Sequence, residues 1–173
     1  MRLELPVFHV GYFKNIVALL QCICKACARV MVPEDERRDF LRRLRNPNTE
    51  LNTRRALFKR LQERCKRFKG CPFCAAPQGI VKRVGSSLKV LHEKYAKNPD
   101  VLEAFVAEFD EAAKHNDALR PNLSKVAEDL NPIRVLGLFE RISQEDCDLL
   151  DIRDRCGNLA TSSMKTCAHK SQA

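Results

Sequence analysis

This sequence has little that would serve catalysis or a membrane. It contains no glycine-rich loop shaped to cradle phosphates and no cluster of aspartates fit to hold catalytic magnesium. Its longest nearly apolar run, residues 16–24, is broken by Gln21 and falls far short of the roughly 20 residues that span a bilayer. The N-terminus lacks a basic stretch followed by an apolar one, so no signal peptide is expected. His9, His92, His115 and His169 are scattered, and none pairs with a cysteine at ligand spacing. Each is expected in the core or on the surface rather than on a metal. No local pattern supports a nucleophilic Cys/His pair, so the chain itself reads as non-catalytic.

What the sequence does have is cysteine and clustered charge. It carries nine cysteines in 173 residues, an odd number that disulfides could not pair completely. Without a secretory signal, metal binding is the expected use of such thiols. Cys24 and Cys27 form one C-x-x-C pair, and Cys71 and Cys74 form a second. Each such turn brings two thiolates within reach of one ion, and two turns complete a tetrahedral four-sulfur shell for zinc. A closed shell leaves no position for water or substrate, so the ion would be structural; a zinc hydrolase would need an open position. Cys22 and Cys65 lie near these pairs but outside their spacing and are expected as small apolar packing residues. Cys147, Cys156 and Cys167 have no partner at ligand spacing.

The net charge of +9 is unevenly spread. Residues 37–69 hold thirteen Lys/Arg against Asp39, Glu50 and Glu63, whereas residues 100–154 hold fourteen acids against six Lys/Arg. That asymmetry suits a surface with nucleic acid on one side and another partner on the other.

The pattern of elements predicts an α+β fold, mainly helical, and the length allows one domain or a domain with a small appendage. Residues 3–13 read as a short strand or extended segment punctuated by Gly11, and Ile16, Leu19, Leu20 and Ile23 as a helix leading into the first cysteine turn. Val30, Met31 and Val32 suggest a return strand. Pro33 and three acids then open a helix with Phe40, Leu41 and Leu44 on its apolar stripe. Asn46-Pro47-Asn48 ends it, and a second helix runs from about residue 50 to 68 with Leu57, Leu61, Cys65 and Phe68 on one face. These two helices make a basic hairpin between the halves of the metal site. Residues 80–84 and 88–91 read as short strands around Gly85. An amphipathic helix opens at Asn98-Pro99-Asp100 and carries Val101, Leu102, Phe105, Val106, Phe109 and Ala113, and another begins at Asn131-Pro132. Ser143 and Asp146 resemble a capping box with Asp in place of Glu or Gln. The arginines and lysines of the hairpin would meet phosphates without reading bases, and only Phe58 and Phe68 interleave with them.

At this point the residues resemble a known family. LELPVFHVGYF followed by CICKAC resembles the N-terminal clamp region of the largest subunit of multisubunit RNA polymerases. GCPFC, GIVKRVGSSLKVLHEKY and LNPIRVLGLFERISQEDCDLL continue the match in the family's order, and the compact second cysteine pair with LHEKY looks most like RNA polymerase III. The resemblance covers about residues 3–152.

It implies a zinc-stabilised clamp-core segment over residues 1–98 with the basic insert at about 34–69, clamp helices over 99–152, and a divergent, flexible tail over 153–173. The zinc ligands it implies are Cys24, Cys27, Cys71 and Cys74. The DNA-backbone contacts expected on the hairpin are Arg42, Arg43, Arg54, Arg55, Lys59, Arg60, Arg64, Lys66 and Arg67. The segment with NPIRVLGLFERIS would return the chain towards the polymerase body. The resemblance further implies a DNA-directed nucleotidyltransferase in the nucleus, with DNA and other polymerase subunits as partners and no membrane. Its magnesium would be held in the parent enzyme, not by this segment.

The family's upstream cysteine/histidine motif and its aspartate-rich motif have no counterpart here, and the resemblance fades after about residue 151. A fragment or truncated product is therefore expected. The competing reading is a stand-alone zinc-ribbon-like adaptor for nucleic acid or protein.

Overall fold

The first turn of the chain's architecture is set by apolar residues at helical spacing. In the computed structural model, which describes residues 5–125 and 127–152, a 3₁₀ turn at Val10–Tyr12 leads into α1, Phe13–Cys22. Phe13, Ile16 and Leu20 are buried on one face of α1. No strand forms in the described residues before the helix: His9 Nδ1 accepts from the Gly11 amide at 3.1 Å, which starts a 3₁₀ turn where the sequence shows only punctuation.

Two helices follow. α2 is Glu34–Leu44, and its three first-turn acids face the positive end of the helix dipole while Arg42 and Arg43 face the negative end. α3 is Leu51–Arg67, with Leu57, Leu61 and Cys65 buried. α3 packs on α1, and fully burying Leu20 and Leu61 contributes about 2–3 kcal/mol each. The last carbonyls of α3 and those just beyond it are answered from a distant segment. Lys97 Nζ donates to the carbonyls of Lys66 and Phe68 at 2.6 and 3.2 Å, and Asn98 Nδ2 donates to that of Lys69 at 2.9 Å.

A small antiparallel sheet backs this helical layer. β1 (Ile80–Arg83) pairs with β2 (Val90–Glu93), which pairs with β3 (Ala127–Asp129). Val81 lies opposite His92 and Arg83 opposite Val90. Gly85, at φ 52°, turns the chain between β1 and β2. Gly79 is fixed for a different reason: a Cβ there would lie 1.6 Å from the Glu93 carbonyl oxygen, so only glycine lets the strands meet. Val30–Val32 reads as a strand in the sequence, but only a single bridge forms, between Ile23 and Val30. The second strand starts two residues later than its sequence pattern suggests, and β3 has no counterpart among the predicted strands.

The chain then forms α4 (Pro99–His115), a 3₁₀ segment at Asp117–Lys125, α5 (Pro132–Glu140) and α6 (Gln144–Leu149). Asn131 Oδ1 accepts from the Arg134 amide at 2.8 Å and caps α5. Ser143 Oγ accepts from the Asp146 amide at 3.2 Å and donates to its carboxylate at 3.0 Å, so Asp serves the capping role at this short reach. One core draws on residues from Phe8 to Leu150, including Ile23, Val30, Met31, Leu61, Val90, Leu130, Val135, Leu138 and Leu149. The expectation of a flexible tail at 153–173 lies outside the described residues.

Candidate metal centre

Two loops with the same hydrogen-bond frame face each other at one end of this core. In the first, the Cys24 amide donates to the Arg29 carbonyl at 2.9 Å and the Ala28 amide to the Cys24 carbonyl at 3.0 Å. In the second, the Cys71 amide donates to Ala76 at 2.9 Å and the Ala75 amide to Cys71 at 3.0 Å. Each loop is closed by one bridge, Ile23 to Val30 and Gly70 to Pro77. In each, the residue after the second cysteine is left-handed: Ala28 at φ 61° and Ala75 at φ 56°. These two loops are a structural repeat that the C-x-x-C spacing encodes twice.

The repeat brings four sulfurs to one point. Cys24 Sγ lies 3.6 Å from Cys74 Sγ, Cys27 Sγ lies 3.7 Å from Cys71 Sγ, and all four fall within 4.8 Å of one another. A tetrahedron of sulfurs about 2.3 Å from a zinc ion has edges of about 3.8 Å, close to the two shortest separations in the cage. Among the described residues this is the one group of Cys, His, Asp and Glu side chains assembled to hold a metal.

The electrostatics of the cage are divided. Burial pushes the Cys24 thiol up to about 12, although the amides of Cys27 and Ala26 pull the other way. Cys71 is raised for the same reason. Burial also opposes ionisation of Cys74, but the Ala76 amide and the neighbouring thiols outweigh it and move Cys74 down. A bound cation deprotonates coordinating thiols outright and reverses the effect of burial.

Further residues support the cage. Gln78 is buried, and its Nε2 donates to Cys24 Sγ at 3.2 Å. The Gly79 amide donates to Nε2 of buried His92 at 3.4 Å, and burial lowers His92 to about 4, so its ring is neutral. Arg141 donates to the Ala26 carbonyl at 3.1 Å. Lys25, lowered to about 8 chiefly by burial, donates to the Ile23 carbonyl at 2.9 Å. Neither Gln78 nor Arg141 carries a spacing signal; the only sequence cue for Gln78 is a polar residue placed inside the Pro77–Gly79 turn. Cys22 and Cys65 are both fully buried in the core, as their spacing predicts.

The basic hairpin is partly spoken for. Arg54 is 8 % exposed, and its Nη2 meets Asp151 at 2.7 Å, so it does not present the free cation expected of it. Arg64 meets Glu36 at 2.5 Å. Arg37 meets Asp146 at 2.5 Å and Glu145 at 3.2 Å, and Arg45 meets Asp148 at 2.8 Å. The acidic stretch therefore does not simply face away from the basic one, because its α6 end is bonded to it. Arg42, Arg43, Arg55, Lys59, Arg60, Lys66 and Arg67 are exposed. None of these seven makes an ion pair among the described residues. Arg43, Arg60 and Arg67 line a groove of about 500 Å³ between α2 and α3, together with Asp39 and Glu63.

Paired C-x-x-C loops with a basic hairpin between them are a combination that can be compared with known proteins. Residues 1–160 match the family described as RNA polymerase Rpb1, domain 1. The chain belongs to that family. The match runs past residue 152, beyond the point where the quoted motifs end. DNA-directed RNA polymerase III subunit rpc1 of Schizosaccharomyces pombe is 44 % identical over 153 residues, which cover 87 % of this chain and 11 % of the relative. The human DNA-directed RNA polymerase III subunit RPC1 is 40 % identical over 159 residues, 90 % of this chain and 11 % of the relative. The Dictyostelium discoideum protein of that name is 36 % identical over 152 residues, 88 % and 10 %. The chain thus spans about a tenth of the length of the family members it matches. Among the described residues no helix is long and apolar enough to cross a membrane.

Proposed function

We propose that this chain is a clamp segment of the largest subunit of a DNA-directed RNA polymerase, of the polymerase III kind, stabilised by a structural zinc ion. The observation that carries the reading is the four-sulfur cage, built twice over the same backbone frame within a chain of this family. Cys24, Cys27, Cys71 and Cys74 would hold the zinc. Four thiolates fill its shell, so the ion supplies cross-linking and no open position for chemistry. Around it, amides of Ala26 and Cys27 and the Gln78 side chain donate to Cys24, which spreads the negative charge of the cage over fixed dipoles.

The cage holds both ends of the α2–α3 hairpin. The exposed cations Arg42, Arg43, Arg55, Lys59, Arg60, Lys66 and Arg67, which make no ion pair among the described residues, would meet the phosphate backbone of duplex DNA. The segment's share in transcription is to hold DNA in a nuclear enzyme whose other subunits complete it. Nucleotidyl transfer and its magnesium belong to residues elsewhere in that enzyme.

Two measurements test the reading. Metal analysis should find one zinc per folded chain, lost from the Cys71→Ser/Cys74→Ser variant; a folded chain without zinc refutes the cage. Duplex binding should fall steeply with salt, and Arg60→Ala/Arg67→Ala should reduce the logarithmic salt slope by about 2 at any DNA sequence. An unchanged slope removes the hairpin from the DNA.

A further inference from the structure

α4 is the least buried long helix of the fold. Of its 17 residues only Ala113 is buried, and its main packing neighbour is the 3₁₀ segment that follows it. A helix of this length is marginal in water unless an apolar face is covered. At about 100° per residue, Val101, Leu102, Phe105, Val106 and Phe109 fall on one stripe. That stripe is half open: Val101 is 46 % and Phe105 is 37 % exposed, while Leu102, Val106 and Phe109 are half-buried. Tyr95 stacks on Phe105 at 5.4 Å, and Phe109 continues the aromatic row at 6.5 Å. The row is only half covered, with Phe105 exposed between half-buried Tyr95 and Phe109.

The charge beside the stripe is of one sign. Glu103 and Asp110 fall beyond Val106 on one flank, and Glu108 falls beyond Val101 on the other. None of these three makes an ion pair among the described residues. Asp100 and Glu111 add to the acidic surface, while Lys114, the one Lys or Arg of the helix, is bonded to Glu111 at 2.6 Å. At the N-terminal end, Lys94 lies over the Tyr95 ring at 5.3 Å, and Lys97 is engaged by the carbonyls at the end of α3. A phosphate backbone is repelled by such a face. A second copy of α4 would set carboxylates against carboxylates.

We propose that this face of α4 docks an amphipathic helix of a partner polypeptide, whose apolar stripe is flanked by lysine or arginine. The same chain already joins two of its own helices by acid–base contact, with two acids of α6 bonded to the Arg37 guanidinium of α2. The aromatic row supplies the apolar anchor, and Glu103, Glu108 and Asp110 select the partner's charge. The proposal stands apart from the zinc cage and from the DNA contacts.

The chain contains no tryptophan, so a tryptophan placed in a peptide reports alone. Two helical peptides about five turns long, with the same leucine face but Lys/Arg or Glu flanks, are titrated into the full zinc-loaded chain and followed by tryptophan emission. The basic peptide should bind saturably, and the acidic peptide at least about tenfold more weakly. Phe105→Ser should weaken the basic peptide about tenfold or more. Should that variant disturb the helix, Glu103→Lys/Asp110→Lys leaves the stripe intact and should invert the preference between peptides. The proposal is overturned if neither peptide binds, if both bind alike, if the charge swap leaves the preference unchanged, or if the chain sediments as a dimer that Phe105→Ser dissociates.

Discussion

Two devices join distant parts of this chain, and they work on different physics. The four-cysteine node brings residues 24, 27, 71 and 74 together at one point. The ionic seam ties α2 and α3 to the acidic end of the described chain through Arg37–Asp146, Arg45–Asp148 and Arg54–Asp151. A metal node is a net source of folding free energy, because its ligands gain little contact with one another in the unfolded chain. A buried ion pair gains much less, because both charges lose water before they gain each other. Burial alone pushes the Arg37 guanidinium down, and the bonds to Asp146 and Glu145 more than reverse that. With zinc bound as proposed, the node would supply stability, whereas the seam fixes where the last helix sits.

The strongest way to break the comparison is to remove the node. A zinc-selective chelator should unfold the chain with loss of helical circular dichroism, because structural zinc contributes about 10–16 kcal/mol in small domains. A chain that keeps its helices after the chelator has removed its zinc would place the main source of stability elsewhere, in the apolar core.

The seam should respond to a smaller cut and in a different manner. Asp146→Ala leaves buried Arg37 with only the exposed Glu145 as a partner and should cost up to about 3–5 kcal/mol by urea denaturation of the zinc-loaded protein. Replacing both, as Arg37→Met/Asp146→Leu, should recover most of that loss, since two apolar side chains avoid the desolvation that the pair overcame. If the double variant is as unstable as the single one, the seam is itself a source of stability and the contrast with the node fails.

The difference between node and seam also explains what is legible in the sequence. The node uses one residue type at fixed spacing, so Cys24, Cys27, Cys71 and Cys74 stand out from spacing alone. α2 and α3 are equally plain, because Phe40, Leu41 and Leu44 in one and Leu57, Leu61 and Cys65 in the other fall at helical spacing. The seam has no period. Arg37 and Asp146 are 109 positions apart, and an arginine bound for an ion pair looks in sequence like one bound for phosphate. That is why Arg54 reads as a DNA contact and is instead bonded to Asp151. β3 is hidden because two of its three residues are Glu128 and Asp129, which are depleted in strands and are placed there by pairing with β2. Val30–Val32 has strand-forming residues but no partner strand long enough to make a ladder, so one bridge is all it forms.

Acid should likewise separate the surroundings of the node from the ion pair that joins α2 to α3. His92 is held neutral in the fold, near 4 against an ordinary value of 6.5. Between about pH 6.5 and 4 the unfolded chain binds the proton and the folded chain does not, so stability falls as pH falls through that window, by about 3 kcal/mol in all. The Arg64–Glu36 pair should persist there. The Arg64 guanidinium holds the Glu36 carboxyl below its ordinary value of 4.5, so its contribution is present above that value and lost only on further acidification. His92→Gln, whose carbonyl can still accept from Gly79, should flatten the wild-type slope between pH 6.5 and 4. Equal slopes in the two proteins would assign the acid sensitivity to the thiolates instead.

The finest contrast lies inside the node, between its two halves. Ala28 and Ala75 occupy the same left-handed position of the same loop, at φ 61° and 56°. A side chain in that region costs about 1–2 kcal/mol, and glycine relieves it at an entropic cost of about 0.4–1 kcal/mol in the unfolded chain. Ala75 is exposed, so Ala75→Gly should show the relief directly and stabilise the zinc-loaded protein by about 0.5–1 kcal/mol. Ala28 is fully buried, and removing its methyl group forfeits about 0.8 kcal/mol of burial. Ala28→Gly should therefore be close to neutral. Thermal unfolding of the two variants at equal zinc activity decides the point: equal shifts would mean that the loops differ in burial without differing in energy.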